Sequence, residues 1–200
     1  MSKSNRIEIT ALPNFPLVEP GDDLALMIQA SLLEGDLQLK SGDCLVLAQK
    51  VVSKSEGRYA YLDQVVPGRE ALELATAANK DPRLVQLVLN EPRVVLKHRP
   101  GAIIVEHRLG YVHANAGIDQ SNIVSDPDHA RVLLLPENPD KSAQAIRLSL
   151  QEMTEVDHLN IVISDSAGRA WRNGIMGFAI GTAGVRAGGG RIRQEGFVRA

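Results

Sequence analysis

Two short apolar runs, residues 93–97 and 102–106, are separated only by His98-Arg99-Pro100-Gly101. A turn signal of that length joins neighbouring antiparallel strands, because a parallel return needs a crossover of about a dozen residues or more. Arg108-Leu109-Gly110 then leads into Tyr111-Val112-His113, a third strand of the same meander. Around this block the chain alternates helical and extended patterns. The order of elements therefore admits α+β as readily as a purely parallel sheet.

Residues 6–10, Arg-Ile-Glu-Ile-Thr, alternate as a half-buried strand should, and a proline-bearing loop follows over residues 12–21. Asp22 or Asp23 is then placed to cap a helix whose Leu24, Met27, Ile28 and Leu32 share one face. Gly42-Asp43 turns the chain into a buried strand over 44–48. Helices are expected over residues 69–79 and, with Asp81 as N-cap and Pro82 at the first helical position, through Leu84, Val85 and Val88. Residues 131–135 read as a strand closed by Pro136. Asp140 is expected to cap a long helix striped by Ala143, Ile146, Leu150 and Met153, and residues 160–164 form the last strong strand. No internal repeat is evident.

A chain of 200 residues with 44% hydrophobic and 23% charged residues is long enough for a substantial core, as one large domain or two small ones. Its net charge of −2 removes the electrostatic case for nucleic acid or an anionic membrane as main partner. The single cysteine, Cys44, lies in an apolar run and reads as a small buried hydrophobe. The N-terminus has no apolar signal core, and no apolar run approaches membrane-spanning length, so a cytoplasmic location is expected.

Three clusters carry candidate chemistry. In Asn115-Ala116-Gly117-Ile118-Asp119-Gln120-Ser121-Asn122, small residues permit a tight turn while Asp119 and Asn122 offer hard oxygens. The same pattern also suits a solvated Asx turn. In Ile161-Val162-Ile163-Ser164-Asp165-Ser166-Ala167-Gly168-Arg169, an apolar strand ends in Asp-Ser-x-Gly. That places a carboxylate and a hydroxyl at a strand's carboxyl edge, where open sheets bind ligands and where magnesium or manganese would find oxygen donors. Arg169 and Arg172 follow and would suit phosphate. A strand-to-loop turn with Asp165 as a helix cap fits the residues equally well. Third, Gln49-Lys50-Val51-Val52-Ser53-Lys54-Ser55-Glu56-Gly57-Arg58 sets two lysines near one loop, suited to a polyphosphate, although a solvated charged loop explains it in isolation. It is not a P-loop, since the spaced glycines are absent.

Other features are set aside. The glycine-rich run 174–184 lacks G-x-G-x-x-G spacing and is expected to serve close packing. His98, His107, His113, His129 and His158 show no metal-ligand spacing, and no Gly-x-Ser-x-Gly elbow supports a catalytic triad. Residues 188–200 read as a flexible basic tail.

Taken in order, these motifs resemble the coenzyme F420-0:L-glutamate ligases, the γ-glutamyl ligases of deazaflavin coenzyme biosynthesis. The resemblance is carried by Phe15-Pro16-Leu17-Val18 with Gly21-Asp22-Asp23-Leu24, by Gly42-Asp43 through Val52-Ser53-Lys54-Ser55-Glu56-Gly57-Arg58, and by Asn115-Ala116-Gly117-Ile118-Asp119 with Ser121-Asn122. It continues in Leu133-Leu134-Leu135-Pro136, Ser164-Asp165-Ser166-Ala167-Gly168-Arg169 and Gly177-Phe178-Ala179-Ile180-Gly181. It covers most of the chain up to Ala187, and one ligase-like domain is expected over residues 1–187.

What the resemblance implies is an α+β fold of mixed sheets with flanking helices, and a homodimer. It also implies a GTP-dependent ligase using Mg2+ or Mn2+, and K+ as a further ion, to join L-glutamate to F420-0. By the same resemblance Asp119, Asp165 and Ser166 are metal ligands. Pro16, Leu17, Val18, Lys54 and Asn122 contact the nucleotide, with Gln49 and Lys50 beside them. Asp119, Asp165 and Lys54 are the residues expected to carry catalysis.

The chain departs from the family pattern in three places. Ser166 stands where a threonine is expected, and Gln49-Lys50 stand where small hydroxyl residues are frequent. Residues 188–200 do not resemble the family segment that carries a further acidic metal ligand. Two rival readings follow, an inactive remnant that keeps fold or dimerisation, and a metal-dependent hydrolase using the same carboxylates.

Overall fold

The structure is a computed structural model and describes residues 6–120, 130–168 and 173–185. Ser121, Asn122, His129, Arg169, Arg172 and the segment 188–200 lie outside the described residues.

Helix α1 (Leu24–Glu34) begins where the Asp23 carboxylate accepts hydrogen bonds from the Ala25 and Leu26 amides. It is followed by β1 (Cys44–Ala48), the two-turn helix α2 (Gln49–Ser55) and β2 (Tyr59–Tyr61). Helices α3 (Arg69–Ala78) and α4 (Pro82–Asn90) come next. Asp81 caps α4 and Pro82 opens it, as the Asp-Pro pair predicts. The meander β3 (Pro92–Arg99), β4 (Ala102–His107) and β5 (Val112–Ala114) pairs antiparallel throughout. Its first turn contracts to Pro100-Gly101, with Gly101 at φ +87°, where a Cβ would be strained. The short β6 (Arg131–Leu133), the long α5 (Pro139–Thr154), β7 (Asn160–Gly168) and β8 (Ile175–Ala183) complete the described chain.

The strands form three sheets. In the first, β1 runs parallel to β7 from Cys44↔Asn160 to Ala48↔Ser164, and β7 pairs antiparallel with β8. The meander is the second sheet, and β2 with β6 the third. Leu24, Ile28 and Leu32 of α1 join Ile146 and Leu150 of α5 against Leu47, Ile161 and Ile163 of the first sheet. The second core sets Ala71, Ala75, Ala78, Val85 and Val88 of α3 and α4 against Ile103 and Val105. A mixed sheet and an antiparallel meander, each packed against its own pair of helices, make this an α+β fold.

Five local expectations are corrected. Residues 6–10 form no strand, and Ile7 and Ile9 are almost fully exposed; alternation needs a partner strand to bury one face, and none pairs with it among the described residues. Strand 44–48 is an edge strand, not a buried one. Leu47 faces the core while Cys44, Val46 and Ala48 face outward, so Cys44 is an exposed thiol. Residues 49–55 are helical, because Gln49 and Ser53, four apart, satisfy each other inside the fold at 2.7 Å.

The N-cap of α5 is Asn138, not Asp140. The Asn138 side chain accepts from the Lys141 amide and Pro139 takes the first helical position, which leaves Asp140 to accept from the Thr182 amide at 2.8 Å. Finally, β7 does not stop at Ser164 but runs through Asp165 and Ser166 to Gly168, because β8 pairs along its whole length.

Gly181 of β8 sits at a close approach that a side chain would block. A Cβ built there would lie 2.5 Å from the Pro139 backbone, so the strand abuts the start of α5. Gly181→Ala is expected to destabilise the fold by about 2 kcal/mol, as overpacking does. Urea unfolding would show this as a lower midpoint with an unchanged slope.

Candidate functional site

The turn that delivers Asp119 is built from three successive left-handed residues, Asn115 (φ 50°), Ala116 (φ 55°) and Gly117 (φ 71°). Two contacts hold it. Asn115 Oδ1 accepts from the Ile103 amide at 3.1 Å, and Gly117 lies so close to Leu135 that a Cβ would meet its side chain at 2.8 Å. Beyond the turn, Asp119 exchanges two backbone hydrogen bonds of 2.9 Å with Leu133. The Asp119 backbone is thereby fixed beside β6. Its carboxylate reaches the Lys50 ammonium at 3.0 Å.

Lys50 and Lys54 stand four apart on α2, while Gln49 and Ser53 turn into the protein. Immediately after α2, Glu56 accepts from Ser142 Oγ and from the Glu137 amide, tying this end to α5. The loop preceding α1 docks on α2 through a 2.8 Å hydrogen bond from the Gly21 amide to the Ser55 carbonyl. Pro16 and Leu17 on that loop are exposed, and Leu17 is 86% accessible; Val18 is buried in the first core. Of the three residues expected to contact nucleotide, two therefore have exposed side chains. The Val18 side chain anchors the loop to the first core.

Asp165 is placed differently. Its strand pairs with β8 through a register shift between Ile163 and Ser164, a bulge one residue before it. Bulges of this kind re-aim the side chains that follow. The carboxylate is held on both oxygens, Oδ1 by its neighbour's Ser166 amide at 2.8 Å and Oδ2 by His113 Nε2 at 2.9 Å. His113 is itself anchored, with Nδ1 against the Ala114 carbonyl at 3.1 Å.

The rings of Tyr111, His113 and Phe178 cluster beside this pair, Tyr111 edge-on to Phe178 at 5.7 Å. The Tyr111 hydroxyl is buried without a hydrogen-bond partner among the described residues. Burial first, then the nearby Asp165 charge, push its ionisation well above the ordinary phenol range.

Two carboxylates and a hydroxyl form the expected metal set. Asp119, Asp165 and Ser166 offer hard oxygens of the kind Mg2+ and Mn2+ prefer. Yet each carboxylate is already engaged by a side chain, Asp119 by Lys50 and Asp165 by His113. Among the described residues no group of three or more His, Cys, Asp or Glu side chains converges on a common point. As these side chains stand, they do not make a divalent-cation cage. What the fold does bring together is Asp119 with α2, and Asp165 with β5. Because Ala48 pairs with Ser164, Gln49 and Asp165 continue from neighbouring strands at the same level.

His113 is the site residue that the sequence reading missed. A search for metal-ligand spacing cannot find it, because its partner is distant in sequence and meets it only when β5 and β7 are folded. A second network was equally hidden. Glu91, 8% exposed, receives Arg108 at 3.1 Å, Arg58 at 3.7 Å and His107 Nε2 at 3.3 Å. His107 Nδ1 accepts from the Leu109 amide at 3.1 Å, which fixes the ring with Nε2 on the Glu91 side. Arg58 also donates to the Leu135 carbonyl and Arg108 to that of Glu137, so the network frames the segment that follows β6.

The family profile described as F420-0:Gamma-glutamyl ligase matches residues 14–195. Among curated relatives, the chain is 41% identical over 179 residues to the coenzyme F420:L-glutamate ligase of Methanothermobacter thermautotrophicus, covering 90% of this chain and 69% of that one. The protein of the same name from Methanopyrus kandleri is 42% identical over 179 residues, covering 90% of this chain and 67% of its own length. That of Methanocaldococcus jannaschii is 35% identical over 187 residues, covering 94% and 71%.

Proposed function

This chain belongs to the F420-0:gamma-glutamyl ligase family, and we propose that it joins L-glutamate to the coenzyme F420-0 through an amide bond, with GTP as the energy source. The observation that supports this most is the meeting of Asp119 with Lys50 on α2, one turn before Lys54. A carboxylate and two cations on one helical face are the groups that phosphoryl transfer to a carboxylic acid requires. Magnesium or manganese, and potassium, belong to the same reading, as does assembly as a homodimer.

A free carboxylate does not react with an amine, so the acceptor must first be activated. In the proposed reaction an oxygen of its carboxylate attacks the γ-phosphorus of GTP, the bond to the β-phosphate oxygen breaks, and GDP leaves. The acyl phosphate that results is attacked at carbon by the α-amine of glutamate. The amine loses a proton, and inorganic phosphate departs as the amide forms. Positioning and charge stabilisation are what a protein contributes to such a step. In this reading Lys54 neutralises charge on the transferred phosphoryl group and Lys50 holds the neighbouring phosphate. Pro16 and Leu17 offer an exposed apolar edge for the base, while Asp165, locked by His113 and the Ser166 amide, keeps one orientation throughout.

Release of phosphate from GTP tests the reaction class. It is expected only when both L-glutamate and the deazaflavin acceptor are present. Phosphate release without glutamate would favour a hydrolase and contradict the ligase reading.

A further inference from the structure

We propose that one face of the sheet formed by β2 and β6, with Tyr61 at its open end, is the seat of the planar deazaflavin ring of the acceptor. This rests on the reading above in one respect, that a deazaflavin is the acceptor. Side chains alternate across a strand, and Ala60 and Val132 pack into the apolar cluster of Leu62, Leu84 and Leu87. Tyr59, Tyr61 and Arg131 therefore lie on the opposite face, Tyr61 across from Arg131 and Tyr59 across from Leu133. The Arg131 guanidinium sits over the Tyr59 ring, 4.3 Å from its centre. Tyr61, the next residue on this face, is 37% exposed, an aromatic surface open to a ligand.

The same face leads to the candidate site. Leu133 pairs with Tyr59 on one side and with Asp119 on the other. Residues opposite one another in an antiparallel ladder point the same way, so Tyr59 and the Lys50–Asp119 contact share this face. Adjacent strands lie about 4.8 Å apart, which sets Tyr59 about 10 Å from Asp119. The loop that carries Pro16 and Leu17 reaches the head of β2, where a Cβ on Gly57 would stand 3.5 Å from that of Pro20. Tyr61 lies further along the strand, away from that loop. Alternate residues of a strand are about 6.7 Å apart, a length that the three fused rings of a deazaflavin cover more fully than the two of a guanine. Aromatic and guanidinium faces stack with any planar heterocycle. The length of this face, and its start beside Asp119, favour the acceptor over the base.

The test is equilibrium dialysis of F420-0, and separately of GTP, against the full chain. Tyr61→Ala is expected to weaken F420-0 binding about tenfold, the lower range for losing one stacking partner, and to leave GTP binding unchanged. Tyr61→Thr, which keeps a strand-forming residue in this short strand, is expected to show the same selective loss. Tyr61→Phe, which keeps the ring, is expected to retain the affinity. If Tyr61→Ala and Tyr61→Thr bind F420-0 as tightly as wild type does, the inference fails while the ligase reading stands. If GTP binding weakens as much or more, Tyr61 does not select the acceptor and the inference fails likewise. If wild type itself binds no F420-0, the acceptor reading fails and takes the inference with it.

Discussion

Asp165→Asn is expected to lower kcat by two to three orders of magnitude, roughly the cost of removing one preorganised charge-stabilising group from an active site. The substitution keeps the shape and leaves an oxygen for either the Ser166 amide or His113, which now reach Oδ1 and Oδ2. What it removes is the negative charge that continues β7 at the level where β1 gives way to α2. The fold should survive, because Asp165 lies outside the three apolar cores. Steady-state turnover beside a thermal melt separates the two effects. A melting temperature near wild type with turnover reduced less than about fivefold would contradict a catalytic place for this carboxylate.

Glu91→Ala is expected to act on stability instead, by about 3 kcal/mol, the lower end for breaking a buried ion pair and leaving its partners behind. Arg58, Arg108 and His107 all face this carboxylate, and removing it strands their donors in the protein. For a domain of this size that corresponds to a fall in Tm of about 10 °C. Burial alone would raise the Glu91 ionisation. The close contact with His107, the hydrogen bond from Arg108 and the charges of Arg108 and Arg58 outweigh burial and hold it below the ordinary glutamate range.

A carboxylate whose folded value is depressed stabilises fully above its unfolded value, about 4.3, and this contribution is lost as pH falls through the folded value. Wild type should therefore lose part of its advantage over Glu91→Ala on acidification below pH ~4. Urea midpoints at pH 7 and pH 3 measure it. A gap between the two proteins that stays constant would contradict the network described here.

Much of the fold could be read from local chemistry. The Asp81-Pro82 pair, the Asp23 cap and the Pro100-Gly101 turn each act within a few residues, and each appears where the residues demand it. Expectations failed where the outcome depends on distant neighbours. The Ile7 and Ile9 alternation has no strand to pair with among the described residues, and Cys44 faces outward because it lies on the face of β1 opposite Leu47. The polar stretch 49–55 looks like a solvated loop until the Gln49–Ser53 hydrogen bond is seen inside the fold. Asp165 was legible as a chemically significant carboxylate, but its place within a continuous β7–β8 ladder was not, since only β8 carries the strand onward.

The candidate site divides in the same way. Asp119, Asp165, Lys50 and Lys54 were recognisable by residue type and motif, whereas their partners came from topology. Lys50 meets Asp119 across a long sequence interval, and so does His113 meet Asp165. Ser166 is exposed beside Asp165. Asn122 lies outside the described residues, so its expected nucleotide contact rests on the motif alone.

The most direct test of the ligase account is the mass of the acceptor after incubation of the purified chain with GTP, Mn2+, L-glutamate and F420-0. The account predicts a gain of one or more glutamyl units, abolished when glutamate is omitted and strongly reduced in Asp165→Asn. An unchanged acceptor mass, from folded protein and beside an active relative under the same conditions, would contradict it.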